Sequence, residues 1–96
     1  MRRTNTEPLK EVIQRFLKIY GGDRKIKEIE IQRSWGKITG TVVERQTEFV
    51  KVNKSVLYVK LKSSVLKHEL SMMKSQIIKR LNEETGESII NEIVFL

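Results

Sequence analysis

The 96-residue chain lacks cysteine altogether and has one proline, one histidine and one tryptophan. Without cysteine it can form no disulfide, no thiolate nucleophile and no cysteine-based zinc site. The single histidine, His68, precedes Glu69, but Met72 stands where an H-E-x-x-H zinc motif needs its second histidine. We expect these two residues to form an exposed or half-buried helix turn. The sequence therefore predicts a protein that is not an enzyme, with no catalytic residue, no metal site and no cofactor.

Long apolar runs are also missing, since none approaches the roughly 18 residues that a membrane-spanning helix needs. The first residues lead into a charged amphipathic stretch rather than the apolar core of a signal peptide. We therefore expect a cytoplasmic protein with no membrane partner.

Positive charge is abundant and unevenly distributed. Lys and Arg number 19 against 12 Asp and Glu, which gives a formal net charge of +7. Residues 83–96 contain four glutamates and no Lys or Arg, so all of the excess positive charge lies in residues 1–82. A basic body attracts polyanions and favours contact with nucleic acid. The alternative is that the charge serves solubility alone.

The spacing of apolar residues predicts two N-terminal helices. The first carries a stripe from Leu9 to Tyr20, with Thr6 as its cap, and is ended by Gly21-Gly22. The second spans about residues 24–39 and ends at Gly40. Asp23 is its expected cap, and the helical spacing of Trp35 with neighbouring isoleucines predicts a core anchor rather than a base-stacking residue.

Two strands and a long helix follow. The strands span about residues 45–52 and 56–62, and Asn53 is expected to take a left-handed turn position between them. Ser63-Ser64 then opens the longest helix, which continues without a break to Thr85-Gly86.

The chain closes with a strand over residues 89–96, which completes the order α-α-β-β-α-β. A right-handed crossover would make this last strand parallel to the second. The sequence thus predicts an α+β fold with a three-stranded mixed sheet and helices on one face. Residues 1–96 are expected to form one domain.

The candidate nucleic-acid contacts are cations and one tyrosine on the predicted second and third helices, the hairpin turn and the second strand. Lys60 and Lys62 lie on the strand face opposite its alternating apolar residues, beside Tyr58. Tyr58 could stack on a base or pack against a helix. The complete set is Arg24, Lys25, Lys27, Lys54, Tyr58, Lys60, Lys62, Lys67 and Lys74.

Nearly the whole sequence resembles the bacterial DciA-like family. The residues that carry the resemblance are Trp35-x-x-x-x-Gly40, Thr47, Val56-Leu57-Tyr58-Val59 and Ser63-Ser64-Val65-Leu66-x-x-Glu69-Leu70. The resemblance implies a KH-like fold without the G-x-x-G loop. It also implies a replication factor without a nucleotide site, which binds the hexameric replicative DNA helicase and promotes its loading onto single-stranded DNA. Gly36 departs from the polar residue expected after Trp35.

Two other interpretations remain open. One is a KH-like RNA-binding module of the ribosome-assembly type, which has similar size, charge and topology. The other is a protein–protein adaptor whose positive charge is incidental, for which DNA binding would be weak and salt-sensitive. None of the three interpretations includes a small-molecule substrate.

Overall fold

The computed structural model describes residues 6–20 and 22–96, and all side chains discussed below lie within residues 8–16, 19 and 23–96. The predicted α+β fold is confirmed, with five helices in place of the three expected. The helices are α1 Thr6–Tyr20, α2 Gly22–Thr39, α3 Thr41–Gln46, α4 Ser64–Ser71 and α5 Lys74–Thr85, and the strands are β1 Thr47–Asn53, β2 Val56–Leu61 and β3 Glu92–Phe95.

The sheet has the order β1-β2-β3, with β2 in the centre. Strand β1 pairs with β2 antiparallel, and β3 pairs with β2 parallel, as the crossover argument predicts. Successive side chains of a strand point to opposite faces, and Leu57, Val59 and Leu61 of β2 are buried in alternation with half-buried residues. This buried face joins residues of α2 and α5, including Ile31 and Leu81, in one core.

Trp35 anchors that core, as predicted. Its side chain is 2% exposed, and its ring centroid lies 6.3 Å from that of Phe95. The indole Nε1 donates a hydrogen bond of 3.0 Å to the Thr47 hydroxyl, which in turn donates to the Val43 carbonyl at 2.7 Å. The buried N–H of the tryptophan is therefore satisfied, and α2, α3 and β1 are fixed to one another.

Helix α3 was not predicted, and the first strand begins at Thr47 rather than near residue 45. Gly40 has a φ of 99°, which ends α2 and turns the chain directly into α3. This helix has six residues and one buried side chain, Val43. Fewer than two turns give no visible apolar period, so a pattern-based prediction fails there.

The hairpin turn is also displaced from its predicted position. Lys54 and Ser55 have positive φ values of 51° and 68°, whereas Asn53 belongs to β1 and pairs with Val56. Two consecutive residues with positive φ match the twist of the flanking strands better than a single left-handed residue before the turn.

The predicted long helix is broken. Helix α4 ends at Ser71, and the N–H groups of Met72 and Met73 bond three residues back to the carbonyls of Glu69 and Leu70. Neither glycine nor proline marks this site in the sequence. The break lets α4 pack against β2 while α5 packs against α2, so tertiary contacts override a continuous helical pattern.

The last strand is shorter than predicted because the side chain of Asn82 forms hydrogen bonds with the backbone of the first residues of the predicted strand. Asn82 Oδ1 accepts hydrogen bonds from the N–H groups of Ile89 and Ile90, both at 3.0 Å, and Nδ2 donates to the Ile90 carbonyl at 2.8 Å. Both isoleucines are buried, but they precede β3 and do not belong to it.

Helix α1 matches its prediction, and it packs against α2. Thr6 is its first residue, and the proposed caps at Thr6 and Gly21 lie outside the described side chains. Helix α2 begins at Gly22, so Asp23 lies within its first turn rather than before it. Among the described residues, no helix combines the length and apolarity needed to cross a membrane.

Candidate nucleic-acid interface

One face of the β1–β2 hairpin presents lysines and aromatic rings to solvent. The strand register places Phe49 opposite Lys60 and Lys51 opposite Tyr58. These four residues alternate with the core residues of their strands, so they share the face that points away from the core, and we call them the hairpin face. Phe49 is 48% exposed and Lys51 is exposed, whereas Tyr58 and Lys60 are half-buried.

Two further lysines extend the positive charge of the hairpin. Lys54 lies in the turn, and Lys62 directly follows β2. Both are exposed, and Glu48 is the one carboxylate in the segment 47–62. Among the described residues, neither these two lysines nor those of the hairpin face form an ion pair. Their charge is therefore available to an external anion.

Two further predicted contacts, Lys67 and Lys74, line a second candidate region, which is an open depression between α4 and α5. It is lined by Ser64, Lys67, His68, Ser71, Lys74 and Phe95. The Ser63 hydroxyl caps α4 by accepting a 3.1 Å hydrogen bond from the Leu66 N–H, which fixes the first turn that carries Lys67. Lys74 Nζ lies 3.8 Å from a Glu92 carboxylate oxygen. His68 and Glu69 are exposed, as predicted.

The three predicted contacts on α2 have partners within the chain. Arg24 donates hydrogen bonds to the Ser55 hydroxyl at 2.6 Å and to the Ile89 carbonyl at 2.7 Å. Lys27 donates to the Thr85 carbonyl at 3.0 Å. These side chains tie α2 to the hairpin turn and to the segment after α5. Their contact with nucleic acid stays a prediction, as does that of Lys25, which lies 3.8 Å from Glu28.

The acidic C-terminal segment folds back onto basic helices. Glu84 pairs with Lys37 at 3.0 Å, Glu87 with Lys27 at 3.5 Å and Glu92 with Lys74 at 3.8 Å. Such exposed pairs contribute little stability individually. Their consequence is electrostatic, because they offset cations of α2 and α5, whereas the hairpin lysines have no ion-pair partner within residues 6–20 and 22–96.

Sequence reasoning missed two residues of the hairpin face, Phe49 and Lys51. A two-residue turn at 54–55 would have placed Lys51 opposite Tyr58 by counting back from the turn. No comparable signal existed for Phe49, because the register shifts between Thr47 and Phe49 and moves it opposite Lys60.

Within residues 6–20 and 22–96, no three histidine or acidic side chains lie close enough together to hold a metal ion. The fold and its surface thus define a small basic α+β protein whose sheet exposes lysines and aromatic rings. The chain matches the model of the family described as Dna(CI) antecedent, DciA, over residues 8–95. It therefore belongs to the DciA family of bacterial helicase loaders, and its role lies in helicase loading for DNA replication. The comparison with individual curated proteins found no match.

Proposed function

We propose that this protein binds the replicative DNA helicase and single-stranded DNA, and thereby promotes loading of the helicase hexamer. Family membership supports the association with the helicase. The observation that carries the DNA part is the hairpin face, where Phe49 and Tyr58 stand directly across the strands from Lys60 and Lys51.

Single-stranded nucleic acid is the ligand that suits such a surface. Unpaired bases stack on aromatic rings, and lysines beside the rings contact the phosphates that connect those bases. Residues directly opposite each other in an antiparallel pair have Cβ atoms about 4.5–5.5 Å apart. A ring and an ammonium group at such positions can therefore contact the base and the phosphate of one nucleotide. A duplex keeps its bases stacked inside and offers little to the rings.

The rest of the predicted set extends this interface. Lys54 and Lys62 continue the unpaired charge along the hairpin, and Lys67 with Lys74 provides a second cluster in the α4–α5 depression. Arg24, Lys25 and Lys27 contribute flanking charge. We take residues 1–96 as a single KH-like domain, and its place of action as the cytoplasm, where a bacterial chromosome is replicated.

Charge reversal of the hairpin face tests the DNA part. We expect the double variant K51E/K60E to bind fluorescently labelled single-stranded DNA at least tenfold more weakly. The slope of log affinity against log salt concentration should become shallower by about 1.4 for this variant. Each lost phosphate contact reduces the size of that slope by about 0.7 for single strands. The measurement is fluorescence anisotropy at several salt concentrations.

The matched control is R33E/K79E, which makes the same change in net charge at two exposed cations outside the proposed interface. Equal losses in both double variants would contradict a localised site and favour incidental charge. Tighter binding of the parent protein to structured RNA than to single-stranded DNA of equal length would favour the KH-like RNA-binding alternative.

A further inference from the structure

We propose that the apolar face of α1, together with the groove it forms with α2, is the surface that docks on the replicative helicase. This inference rests on the proposed function and assigns a surface to its protein partner. It concerns the α1 stripe, which consists of Leu9, Val12, Ile13, Phe16 and Ile19.

The α1 stripe is exposed along the helix instead of being buried in the core. Leu9 is 61% exposed, Val12 51%, Ile13 49% and Ile19 72%. The spacing of these residues places them on one side of a helix about 22 Å long, at 1.5 Å per residue. Small soluble proteins rarely expose a continuous apolar surface of this kind unless another molecule covers it.

A groove beside the stripe gives this surface a shape that a partner can fill. Leu9 and Ile13 of α1 face Ile26 and Ile29 of α2 across it, and Lys10, Gln14, Glu30 and Arg33 complete its lining. Apolar anchors at i, i+3, i+4 and i+7 on one helix, next to a groove, are the usual elements of helix-mediated protein recognition.

The charge of the molecule argues for a different protein as the occupant rather than a second copy. Each chain has a formal charge of +7, so two copies repel each other. The groove carries two cations, Lys10 and Arg33, against one carboxylate, Glu30. It therefore fits an apolar segment with an acidic border, and we commit to such a segment of the helicase as the occupant.

The position of α1 keeps this surface apart from the hairpin face. Helices α2 and α5 cover the core face of the sheet, whereas Lys51 and Lys60 lie on the other face. Helix α1, which carries the stripe, packs against α2, one of the helices on the core face. A helicase docked on α1 would leave the proposed DNA surface accessible.

The experiment replaces two stripe residues with glutamine, which keeps helix propensity and net charge. We expect V12Q/I19Q to bind the purified helicase hexamer at least tenfold more weakly than the parent, measured by isothermal titration calorimetry. Its affinity for single-stranded DNA should stay within twofold of the parent. The matched control is V42Q/V65Q, whose side chains are 72% and 73% exposed on α3 and α4. Circular dichroism verifies that both variants are folded.

The outcomes separate this inference from the proposed function. A helicase that binds parent and V12Q/I19Q equally would overturn the α1 assignment while the proposed function stands, and so would an equal loss in V42Q/V65Q. A helicase that does not bind the folded parent would overturn the proposed function together with the inference. If the parent is dimeric by light scattering and the V12Q/I19Q variant is monomeric, the occupant of the α1 surface is a second copy of the chain. That result would also overturn the inference that the helicase docks there.

Discussion

At the scale of single residues, Phe49 shows how a small irregularity in a strand changes which side chain reaches the solvent face. Glu48 falls between the paired residues Thr47 and Phe49, where the register with β2 shifts. A bulge of this kind redirects the side chains that follow it, and it places the Phe49 ring opposite Lys60 on the solvent face. An exposed phenylalanine contributes little to the core, and the proposed role of this ring is to stack on a base.

Replacing Phe49 tests stacking separately from charge. We expect F49L to weaken binding to single-stranded DNA about fivefold or more, since stacking on an aromatic ring contributes about 1–3 kcal/mol per base. The slope of log affinity against log salt should not change, because no cation is removed. Anisotropy titrations at three salt concentrations provide both quantities.

The variant F49Y is the control, because it retains a ring of similar size and should retain most of the affinity. An affinity of F49L equal to that of the parent would show that the ring does not stack on a base.

At the scale of secondary-structure elements, contacts between elements determine helix boundaries and strand register that the sequence pattern alone does not predict. The alternation in β2 and the stripe of α1 extend over enough residues to be visible, and both elements form as predicted. The break between α4 and α5 carries no local signal, since it arises from the different surfaces on which the two helices pack. The same limit applies to the candidate site, where Lys60 follows from alternation but Lys51 depends on the exact hairpin register.

The side chain of Glu44 on α3 lies beside the unexpected glycine after Trp35. A Cβ atom at Gly36 would overlap the side chain of Glu44 on α3. A glycine inside a helix is unfavourable by about 1 kcal/mol relative to alanine. Glu44 is exposed and its side chain can rotate away, so the packing of α3 does not by itself require glycine at position 36.

Asn82 is the residue on which the connection between α5 and β3 depends, and its replacement tests the element scale. We expect N82A to lower the free energy of unfolding by about 2–3 kcal/mol, since the N–H and carbonyl of Ile90 lose their hydrogen bonds to Asn82, whereas the Ile89 N–H keeps a bond to the Glu87 carbonyl. Urea unfolding followed by tryptophan fluorescence measures the change through Trp35.

The control N91A alters an exposed asparagine nine residues further along and should leave the stability within about 0.5 kcal/mol of the parent. Equal stability of N82A and the parent would mean that the remaining contacts of this segment, among them the Arg24 hydrogen bond to the Ile89 carbonyl and the burial of the isoleucines, hold it without Asn82.

At the scale of the whole molecule, charge and apolar surface are separated. Three C-terminal glutamates pair with cations of α2 and α5, whereas the hairpin lysines form no ion pair with any residue that the structure describes. The α1 stripe belongs to a helix that packs against α2, whereas Lys51 and Lys60 lie on the sheet face that points away from the core. The two proposed surfaces would allow the protein to bind the helicase and single-stranded DNA without competition.

The most direct test of this account is size-exclusion chromatography of the protein with the replicative helicase of the same organism and a labelled single-stranded oligonucleotide. It should be run at roughly physiological ionic strength, where loose charge pairing is screened over about 8 Å. We expect the protein, the helicase and the oligonucleotide to elute together in one early peak. Separate elution of the protein and the helicase, with both shown to be folded, would contradict the account, and so would displacement of the helicase by the oligonucleotide.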